Sequence, residues 1–325
     1  MKKGPIQRVK EHKLLGTWFD ESGNFMINIV KRKQKLQFMI STTKSVGSFK
    51  NVGYLAVEAR LKLGEAVVLP SFLYNAEAFP SYSQEEIKEL ERVQGNMLRQ
   101  FLEVPSTTPY YGLLMETGWL TMEARLDYKK LMLFHNIMNS DEKRVVKKIL
   151  AVQREENREG TWYTNTRKIV EKYDIGLDAE LTIKSKWKRE VKLKIRERTE
   201  EMIKKECEKL TKTRTVRNEA YELKNYLKVL PVGISRKILL YRLHMIQIPM
   251  NYKNNWGILN CPLCGDKDSS TEHYFSCKQT EYLRNVWEVT SIDEQEPNKM
   301  KNIAHFMEGV QILLEPKHHL PEKKK

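Results

Sequence analysis

Apolar and polar positions along the chain change their spacing several times, and each change marks an element. Near the N-terminus "HKLLGTWF" is short and apolar and ends at the turn-forming "DESGN", which predicts a strand. "MINIVKRKQKLQFMI" alternates at first and then takes a helical spacing, so the pattern leaves its type open. From Val46 onward the spacing is helical, and "YLAVEARLKLGEAVVL" predicts a helix that stops at Pro70. The next helix is more sharply marked. Ser83 and Glu86 form a capping box ahead of Ile87, Leu90, Val93, Met97, Leu98 and Phe101 at helical spacing. It is expected to end at Val104, because the residue before a proline is pushed out of the α region. "PSTTPYYGLLMETGW", with two prolines and two glycines, predicts a loop.

A helix from about Thr121 to Asn139 carries Leu126, Leu131, Phe134 and Met138 on its apolar side. His135 lies beside that stripe with no cysteine or second histidine near it in sequence, so it is expected to be a packed side chain and not a ligand. "SRKILLYRLHMIQI" predicts a helix ending at Pro249, and the tail "LLEPKHHLPEKKK" is polar and expected to fray. There is no internal repeat. The pattern as a whole predicts a mainly α fold with a small N-terminal β element. The expected segments are strands in 1–45, a helical domain over 46–150, a basic helical linker over 151–250, a small module over 251–290 and a polar tail over 291–325.

Charge sharpens this picture. The 325 residues hold 57 Lys+Arg against 42 Asp+Glu, a formal net charge of +15. A balance of this size points to polyanionic partners, meaning nucleic acid, RNA or DNA, or an anionic membrane surface. Much of it falls in residues 184–217, with 14 Lys/Arg against 6 Asp/Glu. Within that run Ile183, Trp187, Val191, Ile195, Thr199, Ile203 and Cys207 recur every four residues. Such a stripe drifts about 40° per step on a helix of 3.6 residues per turn, so the helix breaks near Thr199 or packs against more than one neighbour. The candidate phosphate contacts are Lys186, Lys188, Arg189, Lys192, Lys194 and Arg196, and a solvated helix face is the competing reading. Trp187 is either a base-stacking side chain or part of the core; Cys207, on the stripe, reads as a small core residue. No secretory signal and no apolar run of membrane-spanning length is visible, so an intracellular setting, nucleus or cytoplasm, is expected, with no membrane partner.

Three of the four cysteines gather in "CPLCGDKDSSTEHYFSC". The spacing is Cys261-x2-Cys264-x8-His273-x3-Cys277. Zinc takes four thiolate or imidazole ligands at tetrahedral corners, and a C-x2-C turn can place two sulfurs on one ion. Pro262 stiffens that turn and Gly265 permits positive φ. Ser269 and Glu272 read as a capping box, so a short helix is expected to carry His273 and Cys277 at i and i+4 on one face. A turn pair plus a helix pair is a closed set, so one structural Zn(2+) is expected. A disulfide would leave one of the three cysteines unpaired and would not explain the histidine. Small zinc modules also serve protein contacts, so the site alone does not choose a function.

Three stretches together resemble the C-terminal part of the reverse transcriptases of LINE-type, non-LTR retrotransposons. "CPLCGDKDSSTEHYFSC" looks like the Cys-Cys-His-Cys motif near the end of those proteins. "FLYNAEAF" followed by "EEIKELERVQGNMLRQFLEVPSTTPYYGLLMETGW" resembles their thumb. "HKLLGTWFD" resembles the Tyr-Leu-Gly segment of the primer-grip strand at the end of the palm, with Leu14 where tyrosine is usual. The resemblance spans roughly residues 10–285. It implies end-of-palm strands, a thumb-like helical domain, a linker and a zinc module that grip template–primer and target nucleic acid. The paired aspartates that would hold Mg(2+) in such a polymerase have no counterpart, since the chain contains no Asp-Asp dipeptide. By the family's order the catalytic half would precede residue 1, so no catalytic residue and no catalysis by this chain alone is expected. A reading of a different class is a helical scaffold whose zinc module binds a protein partner; steep salt dependence of binding separates the two.

Overall fold

The structure, a computed structural model, describes residues 9–46, 56–251, 260–290 and 296–314. It is mainly helical with one small sheet, as the pattern predicted. Strands β1 (Glu11–Leu14) and β2 (Thr17–Asp20) pair antiparallel, with Glu11 opposite Asp20 and Leu14 opposite Thr17. The two residues between them, Leu15 and Gly16, both have positive φ, 46° and 86°, which matches the tight turn to the strand twist. Asp20 then stops the strand, its Oδ1 accepting from the N–H groups of Ser22 and Gly23.

The segment whose type the pattern left open is helix α1 (Met26–Val46). Strand therefore occupies only a small part of residues 1–45. Phe25, Ile29, Leu36 and Ile40 are all buried, and their spacing of four and seven residues is helical. Helix α2 (Ala56–Leu63) runs through a π-helical turn, Gly64–Val68, into α3 (Leu69–Phe72). Pro70 thus does not stop the helix as expected. It sits in the first turn after the π segment.

Helix α4 (Gln84–Leu102) starts on the predicted capping box. The Glu86 N–H donates to Ser83 Oγ at 3.2 Å, and the Ser83 N–H donates to Glu86 Oε2 at 2.7 Å. The stretch expected to be a loop contains helix α5 (Tyr110–Thr117). Pro109 precedes its first residue and Gly118, at φ 65°, follows its last. Those residues mark the two ends of a helix, not a loop. Helix α6 (Met122–Met138) has Thr121 and Asn139 as its caps, at the predicted bounds.

Then follow α7 (Val145–Glu156), α8 (Trp162–Lys172), α9 (Lys184–Glu208), α10 (Asn225–Val229), α11 (Val232–Arg242), α12 (Glu281–Trp287) and α13 (Pro297–Leu314). Helix α11 ends well before Pro249, with His244 already at φ 49°. The expected polar tail begins instead with α13, whose Met300, Ile303, Phe306, Met307, Val310 and Leu314 are buried; the tail's later residues lie outside the described ones.

The chain forms two compact units. The first takes residues up to Ser45, Arg60–Leu98 and Leu120–Ile203; the second takes Val46–Ala59, Arg99–Trp119 and everything from Lys204. Each unit gathers stretches distant in sequence. The first unit's core joins α6, α7 and α9 through Leu131, Ile137, Leu150, Tyr173, Trp187, Val191 and Ile195. The second unit holds α11 against α13 and encloses a charged network. There the Glu116 carboxylate accepts from Arg242 Nε at 2.9 Å and from the Tyr226 hydroxyl at 2.7 Å.

Candidate metal centre

The two halves of the Cys-Cys-His-Cys motif are built by different local devices. In the first half, the Gly265 N–H donates to Cys261 O at 2.8 Å and the Cys261 N–H donates to Asp266 O at 2.7 Å. These reciprocal bonds close a tight loop around Cys261 and Cys264, and Gly265 takes φ 78° to complete it.

In the second half, the helix expected to carry His273 and Cys277 is only a 3₁₀ turn, His273–Phe275, followed by a second one, Lys278–Thr280. The expected capping box is replaced. Ser270 Oγ accepts from the His273 N–H at 3.1 Å, and Glu272 pairs with Arg214 at 3.1 Å. One i to i+4 bond survives, from the Cys277 N–H to His273 O at 2.8 Å, and it keeps the two side chains one above the other.

Together these turns bring one donor atom of each of Cys261, Cys264, His273 and Cys277 within 4.8 Å of one another. Cys264 Sγ lies 3.4 Å from His273 Nε2. All four cysteines of the chain are free thiols, so no disulfide competes for these sulfurs. Cys261 and Cys277 are buried and Cys264 is exposed. The backbone N–H of Asp266 holds the Cys264 thiol pKa down, while burial pushes that of Cys277 up to about 11. A cation would stabilise both as thiolates. Tyr274 is fully buried with its hydroxyl unpartnered, and burial and then the three cysteines raise its pKa. A buried donor beside clustered sulfurs fits thiolates as acceptors. The four residues therefore could hold a metal ion.

Residues outside the motif, with no signal in the sequence, fix the module. The Arg284 guanidinium donates to Cys277 O at 2.7 Å and to Thr280 Oγ1 at 2.8 Å. His244 reaches Thr271 with Nδ1 at 3.3 Å.

Helix α9 is continuous, with no break at Thr199. Trp187, Val191, Ile195, Thr199, Ile203 and Cys207 are all buried, whereas Ile183, just before the helix, is exposed. Its residues through Ile203 belong to the first unit and those from Lys204 to the second. Trp187 is 1% exposed and its Nε1 donates to Leu131 O at 3.2 Å, so it offers no face to a base. His135 is buried too, stacked on Trp187 with Nε2 2.8 Å from Thr182 O. Of the six candidate phosphate contacts, Lys186, Lys188, Arg189 and Lys192 are exposed and make no ion pair among the described residues. Lys194 and Arg196 are half-buried, and Lys194 Nζ lies 3.9 Å from Asp174. Among the described residues no helix is long and apolar enough to cross a membrane. No protein-family model, no curated protein and no solved structure matches the chain.

Proposed function

We propose that the chain is a non-catalytic, nucleic-acid-binding C-terminal part of a LINE-type, non-LTR reverse transcriptase, carrying one structural zinc ion. The observation that carries this reading is the division of α9 into a buried and an exposed part. Its apolar stripe is buried, and Lys186, Lys188, Arg189 and Lys192 are exposed around the rest of its circumference, with no ion pair among the described residues. Four cations spread over two turns of helix follow a phosphate backbone without reading bases. Three thiols and one imidazole in a closed set are the donors of a structural zinc site. The sequence resemblance supplies the family, and the missing Asp-Asp dipeptide supports the lack of catalysis.

The test is a salt titration of binding to primed RNA template. The logarithm of the binding constant falls linearly with log salt. Replacing Lys186, Lys188, Arg189 and Lys192 by alanine flattens that line by up to ~0.9 for each duplex phosphate no longer neutralised. An unchanged slope refutes a role for α9. Supplied with magnesium and nucleotides, the chain incorporates nothing, and templated synthesis by rigorously purified protein would refute the non-catalytic reading.

One feature favours a protein-docking scaffold instead. Val145, Val146, Ile149 and Val152 of α7 are exposed, and Val146 and Ile149 line an apolar cleft with Leu133, Ile137 and Trp162. Binding of a protein that is insensitive to salt and lost on Ile149→Asp would select that reading.

A further inference from the structure

The first unit contains a second basic surface, separate from α9 and concave. A cavity of about 350 Å³ opens between the β1–β2 hairpin, α1 and the segment 71–74. That volume lies in the range of small-ligand sites. Four cations line it, Lys13 from β1 and Lys31, Arg32 and Lys35 from α1, and no acidic side chain among the described residues does. The rest of the lining is largely apolar or aromatic and includes Trp18 and Tyr74.

The cations are held for different purposes. Arg32 builds the site: its Nη1 donates to Phe72 O at 2.9 Å and Tyr74 O at 2.8 Å, and its Nη2 to Gly16 O at 3.1 Å. It ties the hairpin turn, α1 and segment 72–74 together while meeting no carboxylate among the described residues. Burial accordingly lowers its pKa. A half-buried guanidinium bonded only to carbonyls keeps an uncompensated charge, which an anion in the cavity would offset. The Lys31 and Lys13 ammoniums lie 4.8 and 5.7 Å from the centre of the Trp18 ring. Lys31 also pairs with the exposed Glu11 at 2.8 Å. Lys35 stands one turn beyond Lys31 on the same face of α1, exposed and without an ion pair among the described residues.

Two properties select the ligand. One internal phosphodiester carries a single negative charge, too little for this many cations, whereas a phosphate monoester carries about −1.5 to −2 at neutral pH. A bare phosphate would leave the aromatic walls uncovered. We propose that this cavity binds a nucleotide through a terminal phosphate, with the phosphate on Lys13, Lys31 and Lys35 and the base against the apolar and aromatic part of the lining. Free nucleotides and the 5′-phosphorylated end of a strand share this chemistry. The assignment stands apart from the backbone-tracking role of α9.

Calorimetry on the full chain tests it, with ADP, adenosine, inorganic diphosphate, and short oligo(dA) with a 5′-phosphate or a 5′-hydroxyl. ADP binds one per chain, adenosine does not, and diphosphate binds more weakly than ADP. Lys35→Glu weakens ADP binding by about tenfold or more, as removal of a charge-assisted hydrogen bond requires. Lys35 is exposed, so folding survives, and Lys13→Ala gives a second, independent readout. A phosphorylated strand that displaces ADP when the hydroxyl strand does not identifies strand ends as the source; failure of both strands to displace ADP identifies free nucleotide. ADP binding that is absent, matched by diphosphate, or unmoved in both variants overturns the proposal. The alanine variant of α9 keeps full ADP affinity, so loss of strand binding there bears only on the function proposed above.

Discussion

At His244 a single side chain carries a pH dependence. The imidazole is 1% exposed, with Nε2 2.9 Å from Thr215 Oγ1 and Nδ1 facing Thr271. Burial first, and then the nearby Arg214, lower its pKa from 6.5 to about 4, against the opposing pull of Glu272. The folded state therefore favours the neutral ring, and the unfolded chain binds a proton more readily. The stabilisation is present in full above the unfolded value of 6.5 and is lost as pH falls through about 4. Its ceiling is about 3 kcal/mol. His244→Asn tolerates the positive φ of this position and removes the titration. Plotted against pH, the urea midpoint of the variant is expected to fall less between pH 6.5 and 4 than that of the parent. Equal falls in both proteins would exclude His244 as the cause. Nothing near His244 in the sequence announces this, because its partners come from positions 214, 215, 271 and 272.

Elements are legible where their ends carry local chemistry. The Ser83–Glu86 box and the Thr121 cap are short-range bonds, and α4 and α6 begin where those residues predict. Helix α5 is hidden because Pro109 and Gly118 are residues of loops as well as of helix ends. Gly118 has a further reason to be glycine. At φ 65° a Cβ would lie 2.9 Å from Glu222 Cα and 3.0 Å from Leu223 N, where Thr117 bridges to Leu223. Gly118→Ala is expected to cost about 2–4 kcal/mol, from strain and from forcing that bridge apart. Gly160→Ala is the control, with φ 79° and open space around it. A smaller loss at Gly118 than at Gly160, measured by thermal unfolding, would show that the close approach does not matter. Helix α13 has its apolar positions in plain view at helical spacing, but the charged end of the chain masks them as part of a polar tail.

On the scale of the molecule, metal removal is the sharpest perturbation. The module from Cys261 to Cys277 is made of turns, with a 3₁₀ piece and two isolated i to i+4 bonds, so a bound ion would supply much of its folding free energy. One zinc per chain is expected from metal analysis. A chelator or Cys264→Ser should raise hydrogen exchange through the module while the core around Trp187 stays protected. Cys207→Ser should leave the metal content unchanged, since that thiol is buried in α9 with its pKa pushed up to about 11 by burial. Full protection of the module without metal would refute the structural role.

The sequence by itself determined the helical class, the β character near the N-terminus, the basic run of α9 and the four clustered metal-ligand candidates, because periodicity and short ligand spacing act over a few residues; the hairpin turn inside the stretch expected to be one strand was not among them. Tertiary structure alone decided the two discontinuous units, the burial of Trp187, the Glu116–Arg242 pair at a separation of 126 residues and the cationic cavity at Arg32. These rest on side chains that meet only after distant segments pack, and such meetings leave no period in the chain.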